Sequence, residues 1–153
     1  MKPAPKLSLS TKQKRLVRDS FESVQAYGVS VVVLFYGRLF EIAPETYALF
    51  KIDIREQSRK LVDTLRTTIE ALDKFEELQP VLAELGRKHV GYGVQPYQYE
   101  KLRTALLWAF GQALGLEFDR ETRAAWEQLL STISAVMLDG AAYDLTADKT
   151  DER

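Results

Sequence analysis

Apolar residues recur every three or four positions through most of this chain, and that rhythm limits the fold more than any other feature. Leu16, Val17, Phe21 and Val24 share one helical face. Gln57, Leu61, Leu65, Ile69 and Leu72 follow close to strict four-residue spacing on another. A half-buried strand would alternate with period two, and no such alternation survives between the turn signals. Internal repeats and low-complexity stretches are also missing. The chain is expected to be all-α. Its helices are not heptad-regular, so they suit ridges-into-grooves packing rather than a coiled coil. The length of 153 residues predicts one domain spanning 1–153 with a sizeable core.

Glycine, proline and capping residues divide the rhythm into six or seven helices. Residues 1–9 hold two prolines and read as a loose lead-in. Ser10 can cap a first helix that Gly28 ends. A second helix, 29–43, is apolar nearly all round at its start, which implies burial on several sides. Pro44 opens a short turn through Phe50. Asp53 can cap a helix over 54–72. Residues 76–89 place Leu78, Leu82, Leu85 and His89 on one face, with Pro80 in the first turn. Gly91, Gly93 and Pro96 form a loop before a helix over 96–114, which Gly115 ends. Asp119 can cap the last helix, 120–142, with Trp126, Leu130, Ile133 and Met137 inward. The charged stretch 146–153 is expected to fray.

Composition removes several function classes. With no cysteine there is no disulfide framework, thiolate metal site or Cys nucleophile. A net charge of −1 offers no basic footprint for nucleic acid. The longest apolar run, Val29 to Tyr36, is broken by Ser30 and is too short to span a bilayer, so no membrane partner is expected. No signal peptide precedes the charged residues Lys12 to Arg15, which makes the cytoplasm the expected compartment. The chain has one histidine, His89. Alone it cannot build a zinc site. It is a packed residue, a catalytic base, or the one protein ligand of a cofactor that supplies its own remaining ligands, as haem does.

Pro44 and Phe50 are six residues apart, Tyr36 lies fourteen before Phe50, and Leu85 sits one helical turn before His89. In this order and register, residues 10–140 resemble a globin. The resemblance is closest to the globin domain of flavohaemoglobins and to bacterial single-domain haemoglobins. It is carried by Leu34-Phe35-Tyr36-Gly37-Arg38-Leu39-Phe40, by Gln57-Ser58-Arg59-Lys60-Leu61, and by Leu85-Gly86-Arg87-Lys88-His89 with Tyr92-Gly93-Val94. Thr122 to Trp126 is also similar to vertebrate neuroglobin, which however has a distal histidine that this chain lacks.

The resemblance implies a globin fold of six to seven helices around one b-type haem, with no separate D helix. It makes His89 the iron ligand and Tyr36 and Gln57 the distal pair that stabilises bound O₂. It implies cofactor contacts from Phe50, Leu61, Leu85, Val94 and Tyr99. Lys60, Arg59 and Lys88 become candidates for pairing with haem propionates, with a plain solvated charge as the alternative for each. Flavohaemoglobins add a glutamate in the last helix that pulls on the histidine; here Met137 to Ala142 offers only Asp139, which puts peroxidase-like activation in doubt. The expected ligands are O₂, NO and CO. The candidate reaction is oxidation of NO to nitrate with a separate reductase. Oxygen storage or transport, or haem-based gas sensing, is the alternative, and a non-haem helical interaction module is a more distant one. A phycobilin-binding relative is disfavoured, because the usual thioether attachment needs a cysteine.

Overall fold

A computed structural model describes residues 5–50 and 53–151, with 142–151 described as backbone alone. Six α-helices follow in order: α1 Thr11–Tyr27, α2 Val29–Ile42, α3 Ile54–Glu70, α4 Gln79–Gly91, α5 Pro96–Leu114 and α6 Arg120–Asp151. Short 3₁₀ turns cover Pro44–Leu49, Leu72–Glu77 and Gly115–Glu117. Among the described residues there is no strand. No helix stands between Leu49 and Ile54 at Phe50 and Asp53; residues 51–52 lie outside the described set.

Most boundaries follow from local chemistry. Ser10 and Gln13 form a reciprocal capping box at the start of α1. Gly28 adopts φ +57, and the chain there bends by 97° between α1 and α2. A left-handed residue of this kind favours glycine because it has no Cβ to clash. Asp53 caps α3 by accepting from the Arg55 amide at 3.0 Å. Among the described residues no single helix is long and apolar enough to cross a membrane.

Two boundaries depart from the sequence reading. The helix expected from Glu76 begins at Gln79, after the 3₁₀ turn. Pro80 has no N–H, so a helix begun at Glu76 would need a hydrogen bond that Pro80 cannot donate; starting at Gln79 puts it in the first turn, where none is required. At the other end, α6 overruns Ala142 and continues to Asp151. Nothing after Gly140 is a glycine or proline, and Ala141, Ala142, Leu145 and Ala147 are good helix formers.

The core centres on Trp126, which is fully buried. Its indole N–H donates to the Ser20 hydroxyl at 2.8 Å, and its ring meets Phe110 edge-on with centroids 4.9 Å apart. That contact ties α6 to α1 and α5. α4 lies across α6 at very short range. A Cβ added at Gly86 would fall 2.0 Å from the Met137 carbonyl oxygen, and one at Gly140 would fall 2.6 Å from the Ala83 carbonyl oxygen. Only glycine at both positions lets the two backbones meet, and this crossing holds the segment that carries His89. α3, in contrast, has its main close backbone contacts with the turn that follows it. Its second half is buried through Leu65, Thr68 and Ile69, while Gln57 and Leu61 in its first half are only half-buried.

Candidate functional site

His89 lies in the last turn of α4, half-buried. Its Nδ1 is 2.8 Å from the Leu85 carbonyl oxygen. A carbonyl can only accept, so the proton sits on Nδ1 and the lone pair is left on Nε2. Burial pushes the His89 pKa below its ordinary value, and the hydrogen bond to the Leu85 carbonyl, which favours the imidazolium, offsets only part of that. The result is a neutral imidazole with a fixed tautomer and one free donor nitrogen, the state in which histidine binds metals. The following loop is tied to it: the Val94 amide donates to the His89 carbonyl at 3.0 Å. Val94 and Leu85 are half-buried at the edge of the core.

Tyr99, on α5, brings its ring to 6.2 Å from that of His89. It is 8% exposed, and its buried hydroxyl has no hydrogen-bond partner. Burial raises its pKa. Asp139, the acid in the Met137–Ala142 stretch, is exposed. Tyr99 and His89 are thus brought side by side, and among the described residues of α6 the one acid of the Met137–Ala142 stretch, Asp139, is exposed.

Tyr36 projects from α2 into an aromatic cluster and is 6% exposed. Phe50 meets it edge-on at 5.2 Å, and Phe40 stacks on it at 5.8 Å. Burial raises the Tyr36 pKa, and the Ser58 hydroxyl beside the phenol holds part of that rise back. The phenol is a neutral donor at neutral pH. Gln57 and Leu61 share the same α3 face one turn apart, as their spacing requires. No hydrogen bond links Gln57 to Tyr36 among the described residues; the polar side chain beside the phenol is Ser58. Sequence reading gave Ser58 no role, although its place next to Gln57 on α3 is near the same space.

Lys60 and Lys88 are exposed and in no ion pair among the described residues, while Arg59 makes a long 3.9 Å contact with Glu56. Among the described residues no group of three or more His, Asp or Glu side chains could hold a metal ion. His89 alone offers a nitrogen, so the metal it suits is one already held on its other sides. Phe50, Leu61, Val62, Leu85, Val94 and Leu102 are all half-buried and packed on the edge of the core. A single nitrogen donor together with half-buried apolar side chains would suit haem, which brings a metal already bound on its other sides, and the residues present fit it on that ground.

The globin family model matches residues 33–137, which span α2 to α6 and include Tyr36, Phe50, Gln57, His89 and Tyr99. The chain belongs to the globin family. Members of that family normally bind haem. This globin is 30% identical to a neuroglobin of Tetraodon nigroviridis and 31% identical to one of Chaenocephalus aceratus, in each case over 94% of this chain and 98% of the relative. Its fold also matches an engineered carbene transferase made from a candidate nitric oxide dioxygenase of Rhodothermus marinus, with a TM-score of 0.80 and 25% identity. That match covers 92% of this globin and 98% of the other chain. The all-α architecture read from periodicity is thus a globin fold.

Proposed function

We propose that this globin holds one b-type haem through Nε2 of His89 and binds diatomic gases on the Tyr36 side. The observation that carries the proposal is the His89 geometry: a neutral ring whose Nδ1–H is committed to Leu85, with Nε2 as the only remaining donor nitrogen. Bound haem supplies a ferrous centre that takes O₂, NO or CO. The chain's own residues do the rest. The hydrogen bond to Leu85 fixes the imidazole plane and tautomer. Phe50, Leu61 and Leu85 exclude water and press on the macrocycle. Tyr36 offers a phenol proton to a gas ligand that draws negative charge, in a setting where burial strengthens that bond. Gln57 supplies a second amide donor, and Lys60 and Lys88, both exposed, pair with the haem propionates.

On this reading the activity is reversible O₂ binding, extended to oxidation of NO to nitrate when a separate reductase restores the ferrous state. The resemblance to a nitric oxide dioxygenase candidate supports the extension. The test is reconstitution with haem b, followed by ferrous spectra with and without O₂ and CO. A ferrous, mainly five-coordinate spectrum that shifts reversibly with each gas supports gas binding. A gas-free ferrous spectrum that is low-spin and six-coordinate, or haem that fails to bind, contradicts it. Mixing the ferrous protein with NO in air-saturated buffer then tests the second step: nitrate equal to the haem present is expected, and no nitrate removes the dioxygenase reading while leaving gas binding intact.

A further inference from the structure

The turn Pro44–Leu49 carries Phe50 at its end, where the Phe50 amide donates to the Tyr47 carbonyl at 3.2 Å. A 3₁₀ turn has poorer hydrogen-bond geometry than an α-helix, so its place depends on its neighbours. On one side these belong to α2: Phe40 meets Tyr47 and Phe50 edge-on at 5.1 and 5.7 Å. On the other side the turn reaches the start of α5. The Tyr97 hydroxyl donates to the Glu45 carboxylate at 2.8 Å, joining residues 52 apart in the chain. A second close approach accompanies it, since a Cβ added at Gly93 would fall 4.0 Å from Leu49 Cδ2. The turn is thus tied to the connection between α4 and α5, whose Val94 amide is bonded in turn to the His89 carbonyl at 3.0 Å. Resting on the haem reading above, we infer that Tyr97 and Glu45 are positioning residues: they clasp the Phe50 turn to the His89 side of the site and set how long haem is retained.

An ionised carboxylate can only accept, so the phenol is the donor, and a bond to a charged acceptor is stronger than one between neutral groups. Both partners register it. The Glu45 carboxyl is held below its ordinary range first by its own backbone amide and then by the Tyr97 phenol, with Lys101 adding to the effect. The Tyr97 phenol is pushed up, mainly by Glu45. Tyr97 is 51% exposed and Glu45 is exposed too, so the bond can open into water without stranding a buried polar group. Of the apolar side chains given to haem, Phe50 lies on the turn, while Leu85 and Val94 lie on the His89 side. A rigid macrocycle held between these two groups leaves when they part. The clasp resists that parting at the rim of the site, independently of the bond from His89 to the metal.

The experiment compares full-length wild type, Tyr97→Phe, Glu45→Ala, Glu45→Gln and the double variant Tyr97→Phe/Glu45→Ala. One readout is the rate at which the haem-loaded protein gives up haem to an excess of a haem-free acceptor globin. The other, in the haem-free protein, is hydrogen exchange at the Thr46 and Phe50 amides, whose bonds to Ala43 (2.9 Å) and Tyr47 report whether the turn is closed. Removing the phenol or the carboxylate should quicken both by about 2- to 10-fold. The double variant should be no faster than the quicker single variant, because each change removes the same bond. Glu45→Gln keeps an acceptor and should lie between wild type and Glu45→Ala. Unchanged haem loss in Tyr97→Phe, or effects that simply add in the double variant, overturns the clasp. Faster exchange with unchanged haem loss leaves the haem reading intact and overturns the retention role. A wild type that takes up no haem is a different failure, that of the haem reading itself, and the retention role falls with it.

Discussion

Tyr36 and His89 have opposite protonation problems, and burial handles both. It keeps the phenol protonated, ready to donate, and keeps the imidazole neutral, ready to bind. For Tyr36→Phe we expect O₂ release to quicken by about 10- to 150-fold, the loss of a hydrogen bond to a charged acceptor, while CO release changes far less. Stopped-flow release of both gases measures it. His89 gives a pH signature in the haem-free protein. Its folded pKa lies below the ordinary 6.5, so on acidification the unfolded chain takes up a proton first. Stability should therefore fall as pH drops below about 6.5 towards the lowered value, and the drop should be shallower in His89→Leu. Denaturant titrations at several pH values would show it; identical slopes in the two proteins would place the group elsewhere. Tyr99 gives a second stability test. Its hydroxyl is buried without a partner, so in the haem-free protein Tyr99→Phe should keep or raise the melting temperature. A loss of more than about 1 kcal/mol would mean the hydroxyl is bonded after all. Order and register alone point to these three residues, and the roles given to them are those of the proposal above. The nearness of Ser58 to the Tyr36 phenol was not legible in this way, because it depends on how α3 lies against α2, and a sequence does not show that.

The helices follow their local signals closely where one residue decides the boundary. Ser10, Gly28, Pro44, Asp53 and Gly115 each mark a junction that the fold keeps. The start of α4 was misjudged because apolar periodicity begins before Pro80 can be accommodated, and the absence of its N–H outweighs the pattern. The α4–α6 crossing could not be foreseen either. Gly86 and Gly140 look like ordinary helix-interior glycines until two distant elements are brought together. Their cost and their necessity can be separated by mutation. Gly86→Ala should destabilise by about 2–3 kcal/mol or more, since the Cβ meets backbone that cannot rotate away. It should also move α4 and so perturb the His89 environment. Gly37 is the control: it is exposed within α2 with nothing within 4 Å of an added Cβ, so Gly37→Ala should stabilise by about 0.5–1 kcal/mol. Thermal or denaturant unfolding of the two variants checks both signs.

At the scale of the molecule, the interior is closed around Trp126 and left half-open between α3 and α4. The all-α fold was readable from helix count, punctuation and the absence of strands, because each of those follows from short-range chemistry; the globin type came from the resemblance carried by Tyr36, Phe50 and His89. The open side was not, since periodicity marks Leu61 and Leu85 as inward without saying what they face. If haem fills that side, loaded protein should resist unfolding more than haem-free protein, as binding to the folded state alone requires. The most direct measurement is the resonance Raman spectrum of the ferrous, gas-free protein, comparing wild type with His89→Ala before and after addition of free imidazole. Wild type should show an iron–histidine stretch, at a frequency expected for a neutral imidazole whose Nδ1 proton is shared with a backbone carbonyl. His89→Ala should lose that band, and imidazole should restore one. An unchanged iron–histidine band in His89→Ala would contradict the assignment of His89 as the residue that holds the haem.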